Sequence, residues 1–426
     1  MFKPHLLAVV SRCNSFFGCV DICCNWGNSA PRTLKGLKSV TSEQVFEREQ
    51  KYGAHNYHHC SAYRAKGVSL DMEGKRYFDF LSAYSAVNQG HCHPKIVNTM
   101  VEQAQRLTLT SRAFYTDVLG EYEEFLTKLF NYDKVLPMNT GVEGGETACK
   151  IARCWAYMKK KVPENQAKII FAENNFWGRT LSAISASTDP MSYDELRPYM
   201  PGFEIVKYND TAALEKAFQD PNVCAYMVEP IQGEAGVVAL DAGYLTEVRE
   251  LCTKYNVLFI ADEVQTGLAR TGRMLAVDHE DVKPDLLILG KALSGGLYPV
   301  SAVLRDDHIM DCIQPGLHTA MDVMDPRMRI LAASRYYVRV ARERCENAQI
   351  QATYLRKELN TLPKDVVPVV RGKGLLNAIV INKKFDAWDV CLNLCKPTHG
   401  DIIRFATTGH HRGTDPRMCQ YYQKYH

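Results

Sequence analysis

The sequence predicts an α/β fold, with a mainly parallel central sheet flanked by helices and a smaller α+β C-terminal domain. Short apolar, β-rich runs recur through the middle of the chain, at Lys168–Ala172, Ala225–Val228, Val257–Ala261 and Leu286–Leu289. Stretches with helical apolar spacing, such as Leu245–Tyr255, separate them, which is the pattern of strands joined by crossover helices. A chain of 426 residues also exceeds one minimal core, since domains run to roughly 100–200 residues.

Taken in order, residues 1–38 carry Lys3, Arg12, Arg32, Lys35 and Lys38 against a single acid, Asp21. A basic, hydroxylated, acid-poor start predicts a mitochondrial transit peptide, with a disordered tail as the alternative. The apolar stretch Leu6–Val10 is too short for the core of a secretory signal. Residues 39–85 form an N-terminal segment, where Glu73-Gly74-Lys75 turns into a strand at Tyr77–Phe80. Residues 86–325 make the large domain. It opens with a helix at His93-Pro94 that runs through Ile96, Met100 and Ala104, and a second helix spans Gly120–Phe130. Residues 326–426 make the small domain, with a helical stretch after Pro326, strands at Val366–Arg371 and Leu376–Ile381, and an atypical tail over 405–426.

Composition excludes several function classes. The net charge of +3 is dispersed, with no basic stripe interleaved with aromatics to read nucleic acid. No apolar run reaches the 18 or so residues that span a bilayer. The 15 cysteines lack paired zinc spacing and sit in a long chain, so they read as reduced thiols. His91-Cys92-His93-Pro94 lies at a helix start without distant ligands, and no metal site is expected.

In open α/β sheets, ligands sit at the carboxyl ends of strands. Two such ends stand out. Val257–Ala261 runs into Asp262-Glu263-Val264-Gln265-Thr266-Gly267, and Leu286–Leu289 runs into Gly290-Lys291-Ala292-Leu293-Ser294-Gly295-Gly296. An acid and a lysine there could form a plain ion pair. They are also the residue types that pyridoxal 5′-phosphate (PLP) chemistry requires: an amine that condenses with the aldehyde and moves a proton, and a carboxylate that keeps the pyridine nitrogen protonated. A P-loop would need glycine at 285 and Ser or Thr at 292, where Asp285 and Ala292 stand. No G-x-G-x-x-G follows a strand, so the dinucleotide fingerprint is absent. Asn139–Ala148, rich in glycine ahead of a helix over Ala148–Trp155, suits a phosphate at a helix N-terminus. Phe176 and Arg179 follow another strand and suit ring stacking and carboxylate binding.

The motifs NTGVEGGET (Asn139–Thr147), EPIQGEAG (Glu229–Gly236), ADEVQTG (Ala261–Gly267) and GKALSGG (Gly290–Gly296) together resemble the class III, fold-type I PLP-dependent aminotransferases. YGAHNY (Tyr52–Tyr57), FLSAYSAVNQGHCH (Phe80–His93) and RGKGLLNA (Arg371–Ala378) narrow the likeness to the ornithine-using members. The resemblance implies that the large domain binds PLP, with Lys291 as the Schiff-base lysine and proton carrier. It implies that Asp262 pairs with the pyridine nitrogen, that Gln265 contacts the ring hydroxyl, and that Gly141 and Val142 offer N–H groups to the phosphate. Phe176 would stack on the ring, Arg179 would bind the substrate carboxylate, and Tyr57 and Tyr84 would line the site. Glu234 would pair with Arg404 and release it when a second carboxylate arrives. The implied substrates are L-ornithine and 2-oxoglutarate, in the mitochondrial matrix, with a homo-oligomer forming the sites at its interface. Alternatives are another class III ω-aminotransferase, or a catalytically impaired homologue acting as a partner subunit.

The sequence departs from that family in three places. Met321 and Asp322 stand where the family places a hydroxyl residue that reaches the neighbouring subunit's phosphate, and loss of one charge-assisted hydrogen bond costs roughly 1.5–3 kcal/mol. Residues are skipped around Leu394-Cys395-Lys396, which predicts a displaced Arg404. The tail after Ala406 lacks helical apolar spacing.

Overall fold

The apolar runs singled out above lie side by side in a seven-stranded sheet ordered β4-β12-β11-β10-β7-β5-β6. A computed structural model describes residues 41–54, 64–66, 69–72, 75–108, 110, 114–313, 344–387, 398–399 and 402–406. The readings made of residues 1–38, Tyr57, Met321, Asp322, residues 394–396 and the tail beyond Ala406 lie outside the described residues. The strands are β4 (Lys134–Met138), β5 (Lys168–Ala172), β6 (Phe203–Val206), β7 (Val223–Val228), β10 (Leu258–Asp262), β11 (Leu286–Leu289) and β12 (Ser301–Arg305). Neighbours from β11 through β6 pair in parallel. Only β12 runs the other way in this sheet, antiparallel to both β11 and β4.

Both faces of this sheet are covered, which is why its strands are apolar at successive positions instead of alternating. Leu287, Leu289, Phe259 and Tyr226 point into one cluster, packed by Tyr122 and Leu126 of a helix over Leu119–Phe130 and by Val248 and Cys252 of a helix over Tyr244–Tyr255. The alternate residues Leu286, Ile288, Ile260 and Met227 point to the other face, against Ile151, Ala152 and Trp155. These three belong to the helix Gly141–Trp155, labelled α1 here.

Sequence reading starts this helix at Ala148, after a glycine-rich loop. In the structure α1 starts seven residues earlier, at Gly141. Thr140 caps it: its hydroxyl accepts from the Glu143 N–H while the Glu143 carboxylate accepts from the Thr140 N–H, the reciprocal capping box. The glycines serve close packing. A Cβ on Gly144 would sit 2.8 Å from Ile288 Cγ2, and one on Gly145 would sit 2.5 Å from Trp177 Cε3. Tight approach to the sheet outweighs glycine's weak helix propensity.

A second, antiparallel sheet is ordered β13-β14-β16-β15, made of Val369–Lys373, Leu376–Val380, Ile402–Ala406 and Thr398–His399. The first of these strands begins three residues later than the sequence reading, because Val366 and Val367 donate back to the Pro363 carbonyl in a turn. Ile379, Ile403 and Phe405 form its core with Phe80, and Leu355 and Leu359 of the helix Cys345–Leu359 (α2) pack against them. A three-stranded antiparallel meander, β1-β2-β3 (Arg64–Lys66, Ser69–Met72, Lys75–Phe78), precedes both sheets. The small hairpin of β8 (Ile231–Gln232) and β9 (Val238–Ala239) carries Glu234 in its loop.

Candidate active site

Every functional side chain predicted from a strand end lies at the carboxyl edge of the large sheet. Asp262 closes β10, and Lys291 follows β11 by two residues. Around them is a cavity of about 240 Å³, lined by Gly141 and Val142 of α1, Phe176, Trp177 and Gly178 of the loop after β5, and Glu229, Asp262, Val264, Gln265 and Lys291. The first N–H groups of a helix have no intrahelical partner, so the N-terminus of α1 brings free donors and a partial positive charge to this cavity. Backbone approach is tight here. A Cβ on Gly141 would meet Val264 Cγ1 at 2.8 Å, and one on Gly178, whose φ is +145°, would meet Val142 Cγ2 at 2.2 Å.

Burial sets the proton affinities. Enclosure lowers the proton affinity of the Lys291 amine, although Glu234, Asp262 and Glu229 oppose the shift. Lys291 itself has φ of +40°, an uncommon backbone for a residue with a Cβ. Burial pushes Asp262 up to about 6, against an N–H donated by Val264 at 3.0 Å and the charge of Lys291. Burial and the neighbouring Asp262 push Glu229 up to about 8. The Glu229 carboxyl bridges two loops, accepting from the Phe176 N–H at 2.9 Å and from the Gly233 N–H at 3.3 Å.

A second charged group adjoins the cavity through Gln265. Arg404, buried on β16, donates to Glu234 through Nη1 to Oε1 at 2.9 Å and Nη2 to Oε2 at 3.0 Å, and to the Gly233 carbonyl at 3.1 Å. Burial raises the Glu234 carboxyl, but Arg404, with help from Lys291 and Gln265, holds it below its ordinary value. Gln265 Nε2 donates to Glu234 at 3.1 Å. The displacement of Arg404 expected from the skipped residues does not occur. Pairing of Ala378 with Arg404 across β14 and β16 sets the backbone register, and the bonds to Glu234 and Gly233 hold the guanidinium. The Tyr84 ring lies beneath it, its centroid 5.5 Å from Arg404 Cζ. Tyr84 sits in a left-handed turn over Ser82–Ser85, with φ of 52°, 46°, 55° and 76°. For L-residues that conformation costs roughly 1–2 kcal/mol each.

The structure therefore gathers Gly141, Val142, Phe176, Asp262, Gln265 and Lys291 around the cavity, with Glu234, Arg404 and Tyr84 on its flank. Arg179 is exposed at the rim, its guanidinium 5.8 Å from the Phe176 ring centroid. Sequence reasoning passed over Glu229 as a site residue, although it ends an apolar strand just as Asp262 does. Val264 had no signal of its own.

The residues fit PLP. An amine of lowered proton affinity, a buried acid and a helix N-terminus share one cavity, and glycines stand where a Cβ would narrow it. The chain belongs to the class-III aminotransferases: residues 52–408 match that family, "Aminotransferase class-III", and it is a PLP-dependent transaminase. It is 67% identical over 374 residues to a protein of Drosophila melanogaster named "Ornithine aminotransferase, mitochondrial", covering 86% of this chain and 87% of that one. The structure resembles that of the ornithine aminotransferase from Toxoplasma gondii, which holds PLP at partial occupancy, with a TM-score of 0.87, 41% identity and coverage of 91% and 94%. It also resembles an acetylornithine aminotransferase from Elizabethkingia anophelis, with a TM-score of 0.81, 50% identity and coverage of 90% and 98%.

Proposed function

We propose that the chain moves the δ-amino group of L-ornithine to 2-oxoglutarate, giving glutamate 5-semialdehyde and glutamate, in a ping-pong sequence with PLP held at Lys291. The observation that carries this reading is the paired Arg404 and Glu234 beside Lys291. One site must admit a cationic amino acid in one half-reaction and a dianionic oxo acid in the other. A carboxylate that neutralises the arginine for the first, and leaves it for the second, meets both needs. The 67% identity to a named ornithine aminotransferase supports it.

When bound, PLP supplies an aldehyde that condenses with amines and a protonated ring that withdraws electrons from the adjacent carbon. Enclosure lowers the proton affinity of the Lys291 amine, which would accept a proton from the carbon bearing the donor amine and return it on the other side. Asp262 would keep a negative charge at the ring nitrogen's end, and Gln265 would contact the ring hydroxyl. Gly141 and Val142 would hold the phosphate through backbone N–H groups, and Phe176 would cover one ring face. Arg179 binds the carboxylate shared by both substrates. Tyr57 and Tyr84 line the amino-acid end. Residues 1–38 direct the chain to the mitochondrial matrix, in keeping with the relative's mitochondrial naming, and the working form is a homo-oligomer.

The likeness to an acetylornithine aminotransferase favours a second reading, in which the donor's α-amine is acylated. Visible absorption separates these outcomes. The PLP-loaded chain is expected to show a band that bleaches with L-ornithine and returns with 2-oxoglutarate, and Lys291→Ala is expected to abolish it. Bleaching by N-acetylornithine but not by ornithine would favour the second reading. A folded chain that forms no band at high PLP would instead be an impaired homologue, with Met321 and Asp322 the first residues to revert.

A further inference from the structure

Four consecutive residues with a Cβ, Ser82 to Ser85, stand in the left-handed region. Such a run persists only where its surroundings hold it, and strained backbone of this kind clusters at functional sites. The holding contacts converge on one buried carboxylate. Asp79 Oδ1 accepts the N–H groups of Leu81 at 2.8 Å and Ser82 at 2.9 Å, and its Oδ2 lies 2.7 Å from His91 Nε2. The turn is then fastened to the strand that carries the arginine. Ser82 Oγ donates to the Ala406 carbonyl at 2.6 Å, and the Ala406 N–H donates to the Phe80 carbonyl at 2.7 Å. Tyr84 stands two residues after Ser82 and Arg404 two residues before Ala406, so both sides of the Tyr84–Arg404 contact are tied to one point. Beyond the turn, Val87 packs against the segment after Lys291, where a Cβ on Gly296 would meet Val87 Cγ1 at 2.3 Å.

We propose that Asp79 and His91 are positioning residues: they hold the left-handed turn so that the Tyr84 ring forms a fixed wall orienting Arg404 once Glu234 has let it go. Glu234 fixes the guanidinium in the paired state. In the released state only the Gly233 carbonyl and the Tyr84 ring remain of its described contacts. A wall that does not move removes the entropy cost of finding the incoming carboxylate. The inference rests on the proposed use of Arg404 for a dicarboxylate, and it assigns the orientation of that arginine to residues that touch neither substrate nor cofactor.

Glutarate, a dicarboxylate that cannot transaminate, tests it on the PLP-loaded chain through the perturbation of the visible band. Asp79→Ala is expected to weaken glutarate about tenfold, whereas Asp79→Asn, which keeps an oxygen for both N–H groups, stays within about twofold. Adding Ala83→Gly to Asp79→Ala should recover much of the loss, because glycine takes φ near 46° without strain. A merely structural defect would weaken PLP and lower the thermal midpoint along with glutarate, whereas loss of positioning weakens glutarate and leaves PLP affinity unchanged. If Asp79→Ala does not fold, Ser82→Ala, which cuts only the tie to Ala406, should weaken glutarate by a smaller factor. Unchanged affinity in Asp79→Ala, no recovery with Ala83→Gly, or no glutarate binding to the unaltered chain would overturn the proposal. Glutarate binding with this pattern in a chain that ignores L-ornithine would support it while refuting the donor assigned above.

Discussion

Replacing Glu234 with alanine separates the two substrates' demands on Arg404. In the paired state the guanidinium makes two charge-assisted hydrogen bonds to Glu234, at 2.9 and 3.0 Å. A dicarboxylate must displace both before it can use the arginine. Each such bond has a net value of roughly 1.5–3 kcal/mol. Arg404 keeps its bond to the Gly233 carbonyl, and the Glu234 side chain is 22% exposed, so the released carboxylate recovers part of its hydration. One bond's worth is then the fair estimate, about 1.5–3 kcal/mol, or about ten- to a hundredfold in affinity. Glu234→Ala should tighten 2-oxoglutarate by that factor. It should weaken L-ornithine, whose cationic end would then face an unneutralised guanidinium. The assay is the substrate dependence of each half-reaction, read as the return or bleaching of the visible band of the PLP-loaded variant. Unchanged or weaker 2-oxoglutarate binding, in a variant that still folds and binds PLP, would refute the idea that Glu234 competes with substrate for Arg404.

Other perturbations follow from the same geometry. Lys291→Ala removes the amine and should replace the Schiff-base band with the shorter-wavelength absorption of the free aldehyde, while phosphate binding at α1 keeps PLP with the protein on gel filtration. Gly178→Ala places a Cβ 2.2 Å from Val142 Cγ2 at a φ of +145°, and should weaken PLP by about tenfold or more through the phosphate cradle, measured by equilibrium titration. Gly145→Ala would meet Trp177 at 2.5 Å and should lower stability by roughly 1–3 kcal/mol, seen as a lower thermal midpoint. The PLP-free chain should also lose stability as pH rises. Burial holds Glu229 up to about 8 and Glu263 up to about 7, from an ordinary 4.5. The folded state therefore binds more protons than the unfolded state across that window, and stability falls from about pH 4.5 to about pH 8 before levelling. Urea midpoints across that range should show the slope, and Glu229→Gln should flatten it.

How far the sequence reached depended on whether a feature was local. Asp262 and Lys291 were legible because each follows an apolar run, and chain order puts strand ends at one edge of a parallel sheet. Glu229 had the same signal after Val223–Val228. The start of α1 was misplaced because glycine's propensity speaks against a helix. Only the neighbouring Ile288 and Trp177 show why small residues were needed there.

The amino-acid order by itself determined the strands, the burial of both their faces and the residue types gathered at their ends, because these follow from apolar spacing along the chain. It also carried the family likeness. The likeness implied that Arg404 meets Glu234, 170 residues away, but no local pattern did, because the meeting depends on the register of β16 against β14. Tertiary structure alone decided that Ser82–Ser85 turns left-handed. No local preference of Ser, Ala or Tyr favours that conformation, and it exists because Asp79, His91 and Ala406 hold it from outside.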